Sequence, residues 1–107
     1  MHMVDAHLHL DVSRKEASEY DPRLLLKSGL IHRAWLLSIN ATVEGLATDA
    51  QTLALCRRYP DYFVPFGFLD YTRGPDRIEE LFAQGFVGLK AIWPRFRYDD
   101  ERYFPLY

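Results

Sequence analysis

The sequence predicts an α/β protein built around a parallel sheet. Apolar runs of strand length alternate with segments of helical periodicity, in the order strand, helix, strand, helix, strand, helix, strand along 107 residues. Parallel strands need long crossovers of this kind, and such crossovers are right-handed. Hydrophobic residues make up 49% of the chain and aromatic residues 15%, which is enough apolar material for a core. We therefore expect a single domain over residues 1–107.

The predicted elements follow one another at regular spacing. Four runs are predicted as strands, at 4–10, 34–39, 62–69 and 86–93. Four segments are predicted as helices, at 21–29, 43–59, 75–84 and from 101 onward. Thr42 is a candidate N-cap of the second helix, although Asn40, Ala41 and Thr42 could also meet a ligand at the end of the second strand. Pro65 removes a ladder donor, so we expect the third strand to be irregular.

The third helix has a clear amphipathic pattern. Ile78, Leu81 and Phe82 form its predicted inner stripe, Arg77 is expected to face water, and Gly85 suits the left-handed position after the helix end. In the second helix, Cys56 lies among apolar residues, and as the chain's lone cysteine it is predicted to be a buried structural thiol.

Charge and hydropathy exclude several partners. The net charge is −2, so nothing favours nucleic acid or an anionic membrane as a partner. No apolar run approaches the roughly 18 residues that span a bilayer, and the N-terminus lacks a signal-peptide pattern. We therefore expect a cytoplasmic protein.

The N-terminal strand carries the strongest chemical signal. His7 and His9 are two residues apart in the run VDAHLHL at 4–10. Side chains alternate along a strand, so both imidazoles share one face, together with Asp5 and Asp11 if the strand extends so far. Two neutral imidazoles converging on one point suit a divalent metal of the zinc type, whereas the plainer alternative is a pair of hydrogen-bonded histidines.

This run resembles the first-strand motif of the amidohydrolase superfamily. The segments GFVGLK at 85–90 and DDERYFPLY at 99–107 look like the middle of the branch called amidohydrolase family 2. The resemblance implies a (β/α)8 TIM barrel and a metal-dependent hydrolase of a small amide, lactone or ester, or a decarboxylase. It implies metal ligands at His7 and His9 and a divalent metal, with zinc favoured over manganese.

The resemblance covers only the front of the family's length. It implies a partial TIM barrel of four strands and three to four helices that ends within the fourth βα unit. The family's later metal ligands then lie outside this chain, and with them the residues that would make it an efficient hydrolase. A half-barrel also leaves open sheet edges, so we expect a homo-oligomer, for which a second copy is the simplest partner.

Three further residues are candidates for binding substrate. Lys90 lies in the fourth predicted strand, where a buried lysine needs a partner such as a structural ion pair. The resemblance implies two other roles for it, a metal-bridging carbamate or a contact with an anionic substrate group. Asp70 follows the third strand, and Arg95 lies in the loop after the fourth, where a guanidinium can bind a carboxylate bidentately. All three are predicted to lie on the side of the histidines.

Two other functions remain open. The start of a TatD-type metal-dependent nuclease is similar, with His7, His9 and Asp11, but the charge and the segment at 88–90 count against it. The chain could instead be a structural half-barrel without catalysis. Assays with added zinc or manganese distinguish this alternative from the two enzymes.

Overall fold

The computed structural model describes residues 3–9, 28–39, 47–92 and 94–107. Its four-stranded sheet is parallel throughout, in the order β1 (Val4–Leu8), β2 (Arg33–Leu37), β3 (Phe63–Phe68) and β4 (Gly88–Lys90). The helices are α1 (Asp49–Arg58), α2 (Pro75–Gln84) and a 3-10 helix (Glu101–Leu106). The strands and helices form a half-barrel, which confirms the predicted fold class. The predicted helix at 21–29 and the loop before it fall largely outside the described residues.

Helix α1 begins later than the sequence pattern predicts. Ala47 and Thr48 are not helical, and α1 starts at Asp49, so the expected start at 43 is wrong. The reason is a capping box: Thr48 Oγ1 accepts from the Gln51 N–H, and Gln51 Oε1 accepts from the Thr48 N–H at 2.9 Å. The segment containing Asn40, Ala41 and Thr42 lies outside the described residues.

The boundaries of α2 are as predicted, but its buried face is narrower. Gly85 ends the helix with φ of 110°, the left-handed conformation that glycine adopts without strain. Leu81 is fully buried beside Gly67 and Phe86, whereas Phe82 is 48% exposed and does not belong to the inner stripe. Neighbouring helical positions are rotated by about 100°. Leu81 therefore occupies the core, and Phe82 turns away from it.

The third strand is complete despite its proline. Pro65 lies inside β3 and pairs in register with Leu36, so the expected irregularity is wrong. Pairing with β4 begins one residue later, at Phe66 and Gly88, and the Pro65 carbonyl accepts from the Val87 N–H at 3.0 Å. The strand therefore uses the acceptor of Pro65 and needs no donor there.

The core lies between the sheet and α1. Its largest cluster is formed by Ala34, Leu36, Ala47, Cys56, Tyr62 and Phe63. Burial raises the pKa of the Cys56 thiol to about 12, which makes it inert near neutral pH and confirms its structural role. In the described parts of the chain, no helix is both long and apolar enough to cross a membrane.

The opposite face of the sheet has no helix against it in the described structure. There Trp35 of β2 stacks on Phe66 of β3, with ring centroids 4.9 Å apart, and Trp35 is 39% exposed. At the edges of the sheet, Val4 and Val87 are each more than half exposed. Within the described part of the chain, the strands thus present an apolar inner face and two edges that pair with no further strand.

Candidate metal site

The two histidines of the first strand meet at its carboxyl end. The Nε2 atoms of His7 and His9 are 3.0 Å apart, and the ring planes are inclined by 72°. Asp5 does not join them as simple alternation predicts, because the register shifts between Asp5 and Leu8. Asp5 pairs with buried Ala34, and its carboxylate accepts from the His7 N–H at 2.9 Å. The rings of His7 and His9 thus converge at the end of β1, while the Asp5 carboxylate holds the backbone of His7.

A contact with the neighbouring strand determines which ring nitrogen of His9 carries the proton. Its Nδ1 lies 2.7 Å from the Leu37 carbonyl oxygen at the end of β2. A carbonyl only accepts, so Nδ1 carries the proton and Nε2 keeps its lone pair in the neutral ring. Partial burial lowers the pKa of His9, with the charges of His7 and Lys90 acting in the same direction, while the bond to Leu37 raises it. The net shift favours the neutral ring, the form that binds metals.

Lys90 completes the cluster from the fourth strand. Its Nζ lies 3.1 Å from His7 Nε2, across the mouth of the half-barrel. An ammonium group only donates, so His7 Nε2 accepts from Lys90, and the neutral ring of His7 then carries its proton on Nδ1. The Nε2 atoms of His7 and His9 lie 3.0 Å apart. A metal ion bound to His7 Nε2 would use the lone pair that faces Lys90 in this structure.

The donor set fits a zinc-type ion at these two residues. Nitrogens that bind one zinc at about 2.0–2.1 Å can lie at most about 4 Å apart, and the observed 3.0 Å is within that limit. The hydrogen bond from His9 Nδ1 to a backbone carbonyl is the support that metal-binding histidines use. Among the residues that the structure describes, no group of three His, Cys, Asp or Glu side chains could hold a metal.

Asp70 and Arg95 lie together, beside a separate cavity. This cavity of about 430 Å³ lies beyond the ends of β3 and β4 and is walled mainly by aromatic and aliphatic side chains. Asp70 Oδ1 accepts from both the N–H and the hydroxyl of Thr72, so its carboxylate holds a turn. Arg95 is exposed, with its guanidinium 5.5 Å from the centre of the Phe96 ring.

Nothing in the sequence indicates that Asp49 is a buried, hydrogen-bonded carboxylate. Asp49 is 5% exposed and accepts from the Ser38 hydroxyl and, at 3.1 Å, from the Phe68 N–H. Arg77 donates to its other oxygen at 3.2 Å, so the expectation that Arg77 faces water is wrong. An aspartate in the first turn of a helix is ordinary on dipole grounds alone. Only the packing of α1 against β2 and β3 reveals its further contacts.

Two solved structures resemble this chain. One is an uncharacterized TIM-barrel protein from Bordetella bronchiseptica, with a TM-score of 0.74 and 19% identity, matched over 100% of this chain and 50% of that one. The other is a probable 2-pyrone-4,6-dicarboxylic acid hydrolase from Acinetobacter baumannii with citric acid bound, with a TM-score of 0.54 and 23% identity, matched over 85% of this chain and 38% of that one.

These likenesses establish the fold. The chain spans half or less of the length of either neighbour, and its strands correspond to part of a TIM barrel. No protein-family model and no curated protein matches the sequence.

Proposed function

We propose that this chain supplies the first metal-binding strand of a metal-dependent hydrolase of the amidohydrolase type, acting on a small amide, lactone or ester. The observation that carries the proposal is the convergence of the His7 and His9 Nε2 atoms at 3.0 Å, with His9 oriented by the Leu37 carbonyl. The probable hydrolase among the structural neighbours supports the reaction class, and the substrate in its name is a cyclic ester.

In this proposal, each residue at the carboxyl ends of β1 and β2 has a separate role. His7 and His9 would hold the divalent metal, for which zinc is our first choice and manganese the second. When bound, such an ion polarises a carbonyl and lowers the pKa of a water molecule toward neutrality. The Leu37 carbonyl keeps the His9 proton on Nδ1, away from the metal-facing nitrogen.

In this proposal Lys90 binds negative charge. Its ammonium lies 3.1 Å from His7 Nε2, and a metal on that nitrogen would displace it toward the open mouth of the half-barrel. There it would contact an anionic group of the substrate. A carbamate on Lys90 that bridges two metals is the alternative, and an added mass of one carboxyl group would identify it. Arg95, at the rim of the neighbouring cavity, would bind a substrate carboxylate, and Asp70 would shape the turn beside it.

Metal-dependent hydrolysis by the chain tests the proposal. We expect slow hydrolysis of an activated lactone or ester with added zinc, far below the 1–10³ per second of ordinary enzymes, since only two ligands are on hand in the described structure. A chelator and His7→Ala should each abolish it. His32→Ala is the matched control, because exposed His32 lies before β2, away from the carboxyl ends, and should keep the wild-type rate.

Equal rates with and without metal, or in wild type and His7→Ala, would remove the hydrolase proposal. The structural half-barrel would then be the better account. Metal-dependent cleavage of DNA with no hydrolysis of lactone or ester would instead favour the TatD-type nuclease.

We also propose that the open sheet pairs with a second copy of the chain. Exposed edges and the apolar Trp35 face favour association, and self-complementary contacts close with twofold symmetry. Sizing chromatography should show a dimer for wild type and a monomer for Val87→Lys, which places a charge beside the β4 edge. Phe104→Lys, at an equally exposed site on the 3-10 helix, should leave the dimer intact. A monomeric wild type at all concentrations would refute this assembly.

A further inference from the structure

We propose that Asp49 is a positioning residue for the metal site, a role that rests on the function proposed above. Its carboxylate joins four elements at one buried point. It begins α1, accepts from Ser38 directly after β2 and from Phe68 at the end of β3, and pairs with Arg77 of α2. The side chain is only 7% exposed, so water competes little for these bonds.

The contact with Ser38 leads directly to His9. Ser38 follows Leu37, whose carbonyl oxygen accepts from His9 Nδ1 at 2.7 Å. The carbonyl carbon of Leu37 and the nitrogen of Ser38 belong to one planar peptide unit, so a restrained Ser38 restrains the direction of that carbonyl. The Ser38 N–H is also bound, to the Phe66 carbonyl at 3.1 Å. Asp49 therefore limits how the acceptor that orients His9 can rotate.

The contact with Phe68 leads to Lys90. Phe68 is the register partner of Lys90, and the next residue, Leu69, donates its N–H to the Lys90 carbonyl at 2.9 Å. The same carboxylate oxygen, Oδ1, accepts from both Ser38 and Phe68. The ends of β2 and β3 are thus tied to one atom, and each end supports one member of the His7, His9 and Lys90 cluster.

The arrangement resembles the outer support that metal ligands need. Groups that hydrogen-bond to a ligand fix its orientation, and losing one costs metal affinity although no ligand is lost. Asp49 acts one step further out, through the Leu37–Ser38 peptide. The guanidinium of Arg77 lies 3.2 Å from the second oxygen of this carboxylate and gives the buried acidic group a partner of opposite charge.

Ser38→Ala tests the link while Asp49 stays in place. The control is Thr52→Val, because Thr52 on α1 is fully buried and its hydroxyl has no hydrogen-bond partner among the residues that the structure describes. We expect Ser38→Ala to lower zinc affinity by about 10-fold, the lower end of outer-support effects. Thr52→Val should stay within about 2-fold of wild type. Asp49→Ala should lower affinity further where it folds, and urea unfolding separates that loss from instability.

A metal-free measurement distinguishes this proposal from the proposed function. The His9 Nδ1–H signal in NMR should be slow to exchange in wild type and Thr52→Val, and should broaden or vanish in Ser38→Ala. If zinc does not bind wild type but this pattern holds, the hydrolase proposal fails and the positioning role stands. If Ser38→Ala matches wild type in the His9 signal, or if Thr52→Val loses as much as Ser38→Ala, the positioning role is refuted.

Discussion

Alanine in place of His9 should lower the zinc affinity of the chain by more than about 100-fold, since loss of an outer support alone costs 10- to 100-fold. The change removes one of two converging imidazole nitrogens and also the ring that the Leu37 carbonyl orients. His7 and Lys90 would remain, but a single imidazole does not hold zinc tightly. Competition against a chromophoric chelator measures the affinity.

His32→Ala is the control for this loss. This substitution also removes one imidazole, but at a position before β2, and the zinc affinity of the variant should match that of wild type. A His9→Ala variant that binds zinc as tightly as wild type would show that the metal binds elsewhere. Equal losses in the two variants would show that zinc binds histidines on this surface without selection.

Phe63→Ala should destabilise the chain by about 3–5 kcal/mol, the usual range for a buried phenylalanine. Phe63 is 1% exposed and packs in the cluster of Ala34 and Leu36, with Tyr59 and Tyr62 edge-on to its ring. The free energy of unfolding of a small domain is only about 5–15 kcal/mol, so this loss is a large part of it. Urea unfolding gives the change.

Phe82→Ala is the matched comparison. The helical pattern alone predicts that Phe82 is a core residue, whereas the structure leaves it 48% exposed. Its removal should therefore change stability by no more than about 0.5 kcal/mol. Similar losses for the two variants would contradict the packing described for α2.

The fold could be predicted from the sequence because strands and helices alternate regularly along the chain. Strand and helix patterns recur along the chain, and parallel topology follows from the crossover lengths between them. The pairing of His7 with His9 was also predictable, since their spacing matches a strand. The bulge between Asp5 and Leu8 was not, because a register shift depends on how β1 meets β2 and leaves no local mark.

Other features arise only from tertiary packing. Asp49 and Ser38 are 11 positions apart, and Asp49 and Arg77 are 28 apart, so no local window contains the buried network. Helix α1 begins late because Thr48 is its N-cap. Thr42 is also a threonine and suits a cap equally well, so the residue type does not indicate where the helix begins. Lys90 was a candidate from its place in a strand, but its 3.1 Å contact with His7 required the curvature of the sheet.

The most direct test of the central claim is X-ray absorption spectroscopy of the chain with one equivalent of zinc. We expect two imidazole nitrogens at about 2.0–2.1 Å from the metal, with oxygen donors filling the remaining positions. His9→Ala should reduce the imidazole count, while His32→Ala should not. A spectrum without imidazole, or with a sulfur at about 2.3 Å from Cys56, would contradict the account.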